Sequence, residues 1–496
     1  MAAPAPAQQK QRMYAAAKPS RNGNPWAVNT SPDTEIRLSL RRLRALSQML
    51  ERDNDYGKKA VRNIRNNIVG KGIEFQAQIK KRRGGQLDDA INDRIEKLWK
   101  RWGDKKRCHT AGKVSFKAMQ RALIGMVAID GEVFIRFVQR RFADSRIPLA
   151  LEIISADLLA DEHNGRAQNG NEIRMGVELD EWLRPVAYYF YPRHPGDYQF
   201  THIGGREKYK RVPADEILHL GVFENNQTRC VPWFHTAIKR LGDIGGYEEA
   251  EIVRARATAS VVGFIQPAEA AAPVLQDEDE EDYTDDVMDF EPGTVRRLEP
   301  GETFTGFNPG SPNTAMDPFL RVMLRGVAAG IGQSFETLSG DFSQSNYSSS
   351  RLALLPERDN WRILQAWFVE DFLQPVYERW LELAVLSGAL DLPAYETDAD
   401  HYADVRWMPR GWSAIDPHKE TVSDLLRIRG GLTSRRDVIS ENGGDYEDVL
   451  KQLAEERKFA QFLGLILDSD PAMTDGKGAQ QVTSEEKPEN TAEETA

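Results

Sequence analysis

Six residues in the first half of the chain have side chains that could do acid–base chemistry: Asp130, Glu132, Asp157, Asp215, Glu216 and His219. Grouped carboxylates with a histidine serve hydrolases and nucleases as general acid, general base or metal ligand. Here they fall on separate strand-like stretches, and no nucleophile signature accompanies them. Glu132 and His219 therefore read as structural contacts rather than as a catalytic pair. The sequence contains neither a Gly-x-x-x-x-Gly-Lys-Ser/Thr phosphate loop nor a Gly-x-Ser-x-Gly elbow. Cys108 and Cys230 are its two cysteines, and no Cys-x-x-Cys or His-x-x-x-His spacing offers a metal site. Both thiols read as buried and structural. No catalytic residue, metal or cofactor is expected, and the chain is read as not an enzyme.

The elements that must position these residues follow from periodicity. Residues 33–76 read as helix and then strand, with Leu40, Leu43, Leu46 and Leu50 at helical spacing. The stretch 87–103 is amphipathic and ends in Leu98-Trp99-Lys-Arg-Trp102, and Ser115–Ile129 reads as another helix. It leads into Asp130–Val138, where Val133, Ile135 and Phe137 alternate with Glu132, Phe134 and Arg136, a half-buried strand broken only by Phe134. More strands are expected in Ala150–Leu159, Arg174–Pro192 and Glu216–Phe223. A long helix then runs from about Trp233 to Val262, with a weak point at Gly242, Gly245 and Gly246.

The most informative stretch is Met316–Ala384, a helix, a polar loop and a longer helix. Asp317 suits an N-cap and Pro318 the first helical position. Gly326, Ala328, Ala329, Gly330 and Gly332 crowd small residues into the first helix. Each interior glycine costs roughly 1 kcal/mol there, which implies close approach of another backbone, in the same subunit or a neighbouring one. The loop Ser339–Ser350 has hydroxyls, amides, Phe342 and Tyr347, and no Lys or Arg before Arg351. Such a surface touches a polyanion without gripping it. From Arg351 the apolar spacing is helical again; residues 385–412 read as loop, and 413–467 as a helix, a Gly430-Gly431 stop, a Thr433/Ser434 cap and a further helix.

Charge is distributed unevenly. Residues 1–113 carry 26 Lys and Arg against 11 Asp and Glu, while the whole chain has a net charge of −11. A basic head on an acidic body points to nucleic-acid contact or to contact between subunits, and as a whole favours assembly. Arg62 and Arg65 read as solvated helix charges or as residues facing DNA. Residues 277–291 hold 10 acidic residues and no basic one, and lack the glycine and ligand spacing of a calcium loop. Residues 292–315 read as short strands between turns. No apolar run approaches the roughly 20 residues of a membrane span, and the N-terminus lacks a signal-peptide core, so the chain is read as cytoplasmic. Residues 1–30 and 468–496 have the composition of disordered segments.

The text Val327-Ala-Ala-Gly-Ile-Gly-Gln-Ser-Phe-Glu-Thr-Leu-Ser-Gly-Asp-Phe-Ser-Gln-Ser-Asn-Tyr-Ser-Ser-Ser-Arg351 and the helix after it resemble the lambda-type phage portal proteins. The likeness runs from about Asp53 to Leu463 and takes in Asp130-Gly-Glu132, Arg184–Pro192, Val212–Leu220, Gln227-Thr-Arg229 with Pro232, and the 416–449 segment. Cys230 stands where that family usually has glycine, so the local turn is expected to differ. The resemblance implies an α+β portal fold: a wing at 31–232, a first stem helix at 233–262, a clip with its acidic segment at 263–315, and a second stem helix at 316–337. It further implies a tunnel loop at 338–351, a long wing helix with its following loop at 352–412, and a crown at 413–467.

The implied function is a ring, expected to be of twelve subunits, at one capsid vertex of the virion, assembled in the host bacterial cytoplasm. The ring nucleates head assembly and passes double-stranded DNA without sequence specificity. Its implied partners are the terminase large subunit, head-completion and connector proteins, and the major capsid or scaffold protein; no membrane is involved. Ser343, Gln344, Ser345, Asn346, Tyr347, Ser348, Ser349, Ser350 and Arg351 are the expected lumen contacts. Arg296, Arg297, Glu299, Glu302, Phe304 and Phe307 are the expected docking residues of the clip, and Gly326, Ala329 and Gly330 the expected stem packing residues. Two other readings stay open: a carboxylate-dependent hydrolase or nuclease, which Glu132→Ala would inactivate, and a minor head protein without a channel.

Overall fold

The computed structural model describes residues 29–82, 87–197, 208–260, 263–266, 303–306, 314–343, 347–412, 417–441, 444, 446–465 and 467, with the backbone alone at 257–260, 263–266, 303–306 and 347–351. The acidic stretch 277–291, Arg296, Arg297, Glu299, Glu302, Phe307, Gln344, Ser345, Asn346 and the segments 1–28 and 468–496 lie outside the described residues.

Two helices open the chain. α1 (Pro32–Asp53) is capped by the Ser31 side chain, and Asn54 both ends it and caps α2 (Asp55–Ile68). Gly70 and Gly72, at φ 62° and 115°, turn the chain into β1 (Glu74–Ala77). Next come α3 (Asp89–Trp102), α4 (Lys105–Cys108) and α5 (Phe116–Asp130), whose cap is Ser115. Gly131, at φ 89°, ends α5 and starts β2 (Glu132–Val138).

β2 is the central strand of an antiparallel sheet, flanked by β3 (Ala150–Ser155) and, at the far edge of the next sheet's sequence, by β9 (Ile217–Gly221). Between them β4 (Gly165–Arg166), β5 (Glu172–Arg174), β6 (Val177–Leu179), β7 (Pro185–Phe190) and β8 (Lys210–Pro213) form an antiparallel meander in chain order. Arg174–Pro192 is thus divided into strands, because Met175 and Gly176 take positive φ and reverse the chain. The half-buried reading of β2 is corrected. Val133 and Ile135 enter the main core, whereas Phe134 is fully buried in a second core with Tyr188, Phe190 and Val212. Both faces are covered, and this is why Phe134 breaks the alternation.

The remaining elements build outward from this base. α6 (Ile238–Ser260) begins after a tight turn at Phe234–Ala237, later than the expected start at Trp233. β10 (Gly263–Gln266) pairs with β11 (Thr303–Gly306), which places Phe304 on a strand opposite Ile265. α7 (Met316–Ile331) has Ala315 as its cap, and Asp317 pairs with Arg321 instead of capping. Gly332 at φ 75° stops α7, so the stem helix expected over 316–337 is two helices, the second being α8 (Phe335–Ser339).

α9 (Tyr347–Phe368) and α10 (Gln374–Leu386) are joined through a wide π-turn at Val369–Leu373. Within the expected loop 385–412, β12 (Val405–Met408) pairs with β1 and sets Trp407 opposite Phe75. The chain ends with α11 (Pro417–Arg429), α12 (Arg435–Glu441) and α13 (Tyr446–Phe462); Gly431 and the Ser434 cap fall between the first two as expected. The main core gathers Trp99, Trp102, Phe116, Phe372, Tyr377 and Trp380 from α3, α5, the π-turn and α10. Each such side chain contributes on the order of 1.5–3 kcal/mol by leaving water. No helix among the described residues is long and apolar enough to cross a membrane.

Candidate functional site

The polar loop between α8 and α9 is held at its described end by several elements. Arg321, on α7, places Nη2 3.2 Å from an Asp341 carboxylate oxygen and 3.4 Å from Ser343 Oγ, while its Nε binds Asp317 at 3.0 Å. The Ser343 amide donates to Asp341 Oδ1 at 3.0 Å, and the Asp341 amide to Ser339 Oγ at 3.1 Å. These Ser343 hydrogen bonds, with the Arg321 charge, hold the Asp341 carboxyl below its usual range. Below the loop, Ser334 caps α8, and the buried Glu357 of α9 accepts from the Ser334 amide at 3.0 Å, Thr337 Oγ1 at 3.1 Å and Trp361 Nε1 at 3.2 Å. Gln333 donates to the Ala60 carbonyl at 3.1 Å and accepts from Asn63 at 3.2 Å, tying the same turn to α2. The loop springs from a base fixed by α2, α7 and α9.

Of the expected lumen residues, Ser343 lies in this loop and is exposed. Tyr347, Ser348, Ser349, Ser350 and Arg351 form the first turns of α9 rather than loop; small hydroxyl residues are readily accommodated at helix starts. From Gly326 to Ser350 the sequence holds no Lys or Arg. Gly326 of α7 faces α6 of the same chain, and Gly330 faces the turn that precedes α6. A Cβ on Gly326 would meet the Arg240 guanidinium at 2.1 Å, and one on Gly330 would meet Thr236 Oγ1 at 2.7 Å. Thr236 donates to the Gly330 carbonyl at 3.2 Å, and Tyr247 lies 4.8 Å from Phe319, centroid to centroid. The close approach is therefore met within one subunit at Gly326 and Gly330, while Ala329 is exposed.

The carboxylates of the first half form a different arrangement from a catalytic one. Glu132 is fully buried, and its two oxygens are saturated: Arg229 Nε donates to Oε1 at 2.6 Å, Arg44 binds the same oxygen, and His219 Nε2 and the Cys230 amide each lie 2.9 Å from Oε2. Burial alone would raise this carboxyl, but the Arg229 and Arg44 guanidiniums hold it well below its usual range. Arg44 also donates to the Asp130 and Ala156 carbonyls, and Arg229 to the Met175 carbonyl, so the knot joins α1, β2, β9 and the 228–230 turn. Asp33 adds to it by accepting from the Thr228 amide at 2.7 Å.

Asp130 and Asp157 lie beside the knot, bridged by Gln48, which donates to both at 2.8 Å. Burial pushes Asp130 up to about 6. Glu216 pairs with Arg136, and no set of three or more metal-ligand residues occurs among the described residues. With every oxygen of Glu132 occupied, the group has no lone pair free to act as a base and serves as a clamp. Cys108 and Cys230 are both buried, and burial raises each thiol, Cys108 to about 12. Cys230 adopts no positive φ, and its amide is the group that the Glu132 carboxylate needs.

Sequence reasoning missed Arg321, Gln333, Glu357 and Arg44. The Asp317–Arg321 spacing and the Gly332-Gln-Ser334 stop-and-cap order were the available signals; Arg44 had none, since its partner is 88 residues away.

The family match and the similar phage sequences name one class, phage portal proteins. The description "Phage portal protein, lambda family" matches residues 18–365. The "Probable portal protein" of Halomonas phage phiHAP-1 is 32% identical across 92% of this chain and 88% of its own length. "Portal protein B" of Escherichia phage lambda is 22% identical across 95% of this chain and 93% of its own. Among solved structures, a chain of "Neck of native GTA particle computed with C12 symmetry" covers 81% of this chain and 94% of its own length, at 17% identity and a TM-score of 0.41. The chain belongs to the lambda family of phage portal proteins.

Proposed function

We propose that this chain assembles into a ring, of twelve copies, whose central channel carries double-stranded DNA into a phage head under a terminase motor and out again at ejection. The observation that carries the reading is the loop fixed by Arg321 and Glu357, which lies within a 25-residue stretch of sequence, Gly326–Ser350, free of Lys and Arg. Every phosphate neutralised by a cation adds salt-dependent affinity, so a loop of hydroxyls and amides lets a duplex slide. Ser343–Arg351 are assigned to the lumen. Twelve helices, each about 10 Å across, enclose an opening near 28 Å, wide enough for duplex DNA.

Surface composition supports assembly. Val322 on α7, Leu352 and Ile363 on α9, and Leu426, Phe459 and Phe462 on α11 and α13 are all more than half exposed in the single chain. Apolar groups in such numbers mark surfaces that a neighbour covers. The chain lacks a phosphate-loop motif, and the motor is assigned to the terminase large subunit. Residues 292–315, with Arg296, Arg297, Glu299, Glu302, Phe304 and Phe307, are assigned to docking the terminase and later the connector proteins, and Ala329 to packing between neighbouring subunits. The capsid or scaffold protein is the expected partner in head assembly, and the virion vertex the expected location.

The test is packaging in cells that supply the other head proteins. Heads built with this chain are expected to contain nuclease-protected DNA, and deletion of Ser343–Ser350 is expected to leave heads intact while lowering that DNA at least severalfold. Unchanged packaging after the deletion would remove the loop from the DNA path.

A further inference from the structure

A cleft of about 660 Å³ opens beside the start of α1, between the β6–β7 turn and the segment that follows β9. Its size falls in the range of about 300–1,000 Å³ that encloses a ligand group. Leu179, Trp182, Leu183 and Phe223 supply apolar lining. Three of these are open to solvent in the single chain: Trp182 is 76% exposed, Leu183 50% and Phe223 46%. Single apolar side chains on a surface are ordinary, but three around one cleft mark a surface that something covers. The turn that presents two of them is fixed, because Asp180 Oδ1 accepts from the Trp182 and Arg184 amides, both at 2.8 Å.

Tyr188 of β7 also lines the cleft. It is 3% exposed and packs against Phe134 and His219, yet its hydroxyl has no hydrogen-bond partner among the described residues. Neighbouring polar groups are satisfied: the Tyr189 hydroxyl donates to Glu178 at 3.0 Å, and His219 Nε2 lies 2.9 Å from Glu132. A buried hydroxyl without a partner is costly, and a polar group entering the cleft would offset that cost. Arg174 supplies the positive charge of the lining, and it is already answered by both Glu172 oxygens at 2.9 Å and by Asp33 at 3.3 Å. No Asp or Glu lines the cleft. The occupant that fits is uncharged and mostly apolar, with one polar edge.

We propose that the cleft seats the segment 23–28 of the same chain, with Trp26 between Trp182, Leu183 and Phe223, and a polar group of the segment on the Tyr188 hydroxyl. The place where the described chain begins points there. Two residues after Asn29, Ser31 caps α1. In the first turn of α1, Asp33 accepts from the Thr228 amide at 2.7 Å and the Thr228 hydroxyl at 2.8 Å, and both Thr228 and Arg174 line the cleft. Trp26 precedes Asn29 by three residues, a reach of up to about 10 Å. The sequence Asn22–Pro32 carries no charge, and Pro25-Trp26-Ala27-Val28 is its apolar run. Tryptophan combines a large apolar ring with one N–H at its edge, which matches the lining. The neighbouring pocket on the other side of Arg174 is lined by Asp33, Arg37 and Glu172, and suits charged groups instead. Seated in the cleft, the segment ties the start of α1 to the β6–β7 turn. This contact is internal to each subunit and does not depend on the channel reading.

Chymotryptic cleavage after Trp26 in the full-length protein, followed by mass spectrometry, tests the seat. The bond is expected to be cut at least about tenfold more slowly than in a free peptide of residues 20–32, because cutting tracks the undocked population. Leu183→Gly, which suits the φ of 62° there, and Trp182→Ser, at an exposed position, should each speed cutting about fivefold to tenfold and leave the rest of the digest unchanged. Tyr188→Phe removes the hydroxyl alone and should speed it about twofold to tenfold. Wild-type cutting at the free-peptide rate would overturn the proposal, and so would an unchanged rate in Trp182→Ser and Leu183→Gly. Trp26→Cys combined with Phe223→Cys, oxidised and run on a denaturing gel, identifies whose segment is seated. A link within one chain supports the proposal. A ladder of covalent multimers would assign the cleft to the segment of a neighbouring copy and overturn it.

Discussion

The Arg229 guanidinium lies 2.6 Å from a Glu132 carboxylate oxygen, and both side chains are sealed from solvent. Arg44 reaches the same oxygen from α1, so one carboxylate compensates two buried cations, one on α1 and one in the 228–230 turn. Removing the carboxylate leaves those cations uncompensated, which costs on the order of 3–5 kcal/mol in buried pairs. Glu132→Gln should therefore lower Tm by several degrees and loosen α1, measured by thermal melting and by amide exchange over residues 32–53. A melt within a degree of wild type would show that the knot is dispensable.

Asp130, next to this knot, should show the reverse pH dependence. Its carboxyl is pushed up to about 6 by burial, with the nearby Asp157 charge adding to the effect, against an ordinary value of 3.8. The folded state thus binds that proton more tightly than the unfolded one, so the destabilisation is complete above pH 6, shrinks as pH falls through 6, and is gone only below the ordinary 3.8. Asp130→Asn keeps an acceptor for Gln48 and should raise Tm at pH 8, with a gain that shrinks progressively as pH falls toward the ordinary 3.8. Glu132 has the opposite sign: held low, it contributes stability above its ordinary 4.5 that is lost as pH falls further. Melts of the two variants against pH should diverge in these two directions.

Arg321 fixes the described end of the polar loop rather than the core. Its pair with Asp341 is partly exposed, so Arg321→Gln should change Tm little. Amide exchange at Asp341 and Ser343 should accelerate severalfold, because both the carboxylate and the hydroxyl lose their anchor. Unaltered exchange in this segment would mean that the Asp341 turn holds itself.

The α7 glycines should separate into two kinds. Gly332 is at φ 75°, where an L side chain is strained, and Gly332→Ala should cost about 1–2 kcal/mol. Gly326 is helical and is crowded only by the end of the Arg240 side chain, which can swing aside. Gly326→Ala should be close to neutral, the gain in helix propensity of up to about 1 kcal/mol offsetting the displaced guanidinium. Paired denaturant titrations would show whether the two differ in this order.

Local chemistry was legible in the sequence wherever a few neighbouring residues decide the outcome. The helix expected over Ser115–Ile129, the Gly431 stop with the Ser434 cap and the helical spacing of Leu40, Leu43 and Leu50 all appear as read. Pairings that span the chain were not legible: Phe75 opposite Trp407 makes 405–408 a strand, and Phe134 is apolar because a second sheet covers it. The site was half legible. Composition marked the polar loop, but Arg321 and Glu357, which fix its base, are ordinary helix residues until the fold brings them to it.

The central claim is that copies of this chain close into a ring around a channel. Negative-stain imaging of the purified protein, with its mass from light scattering, tests it most directly. The account predicts rings of about twelve 56.0 kDa chains with a stain-filled centre near 28 Å across. A stable monomer or compact dimer across protein and salt concentrations, or a closed particle with no central opening, would contradict it.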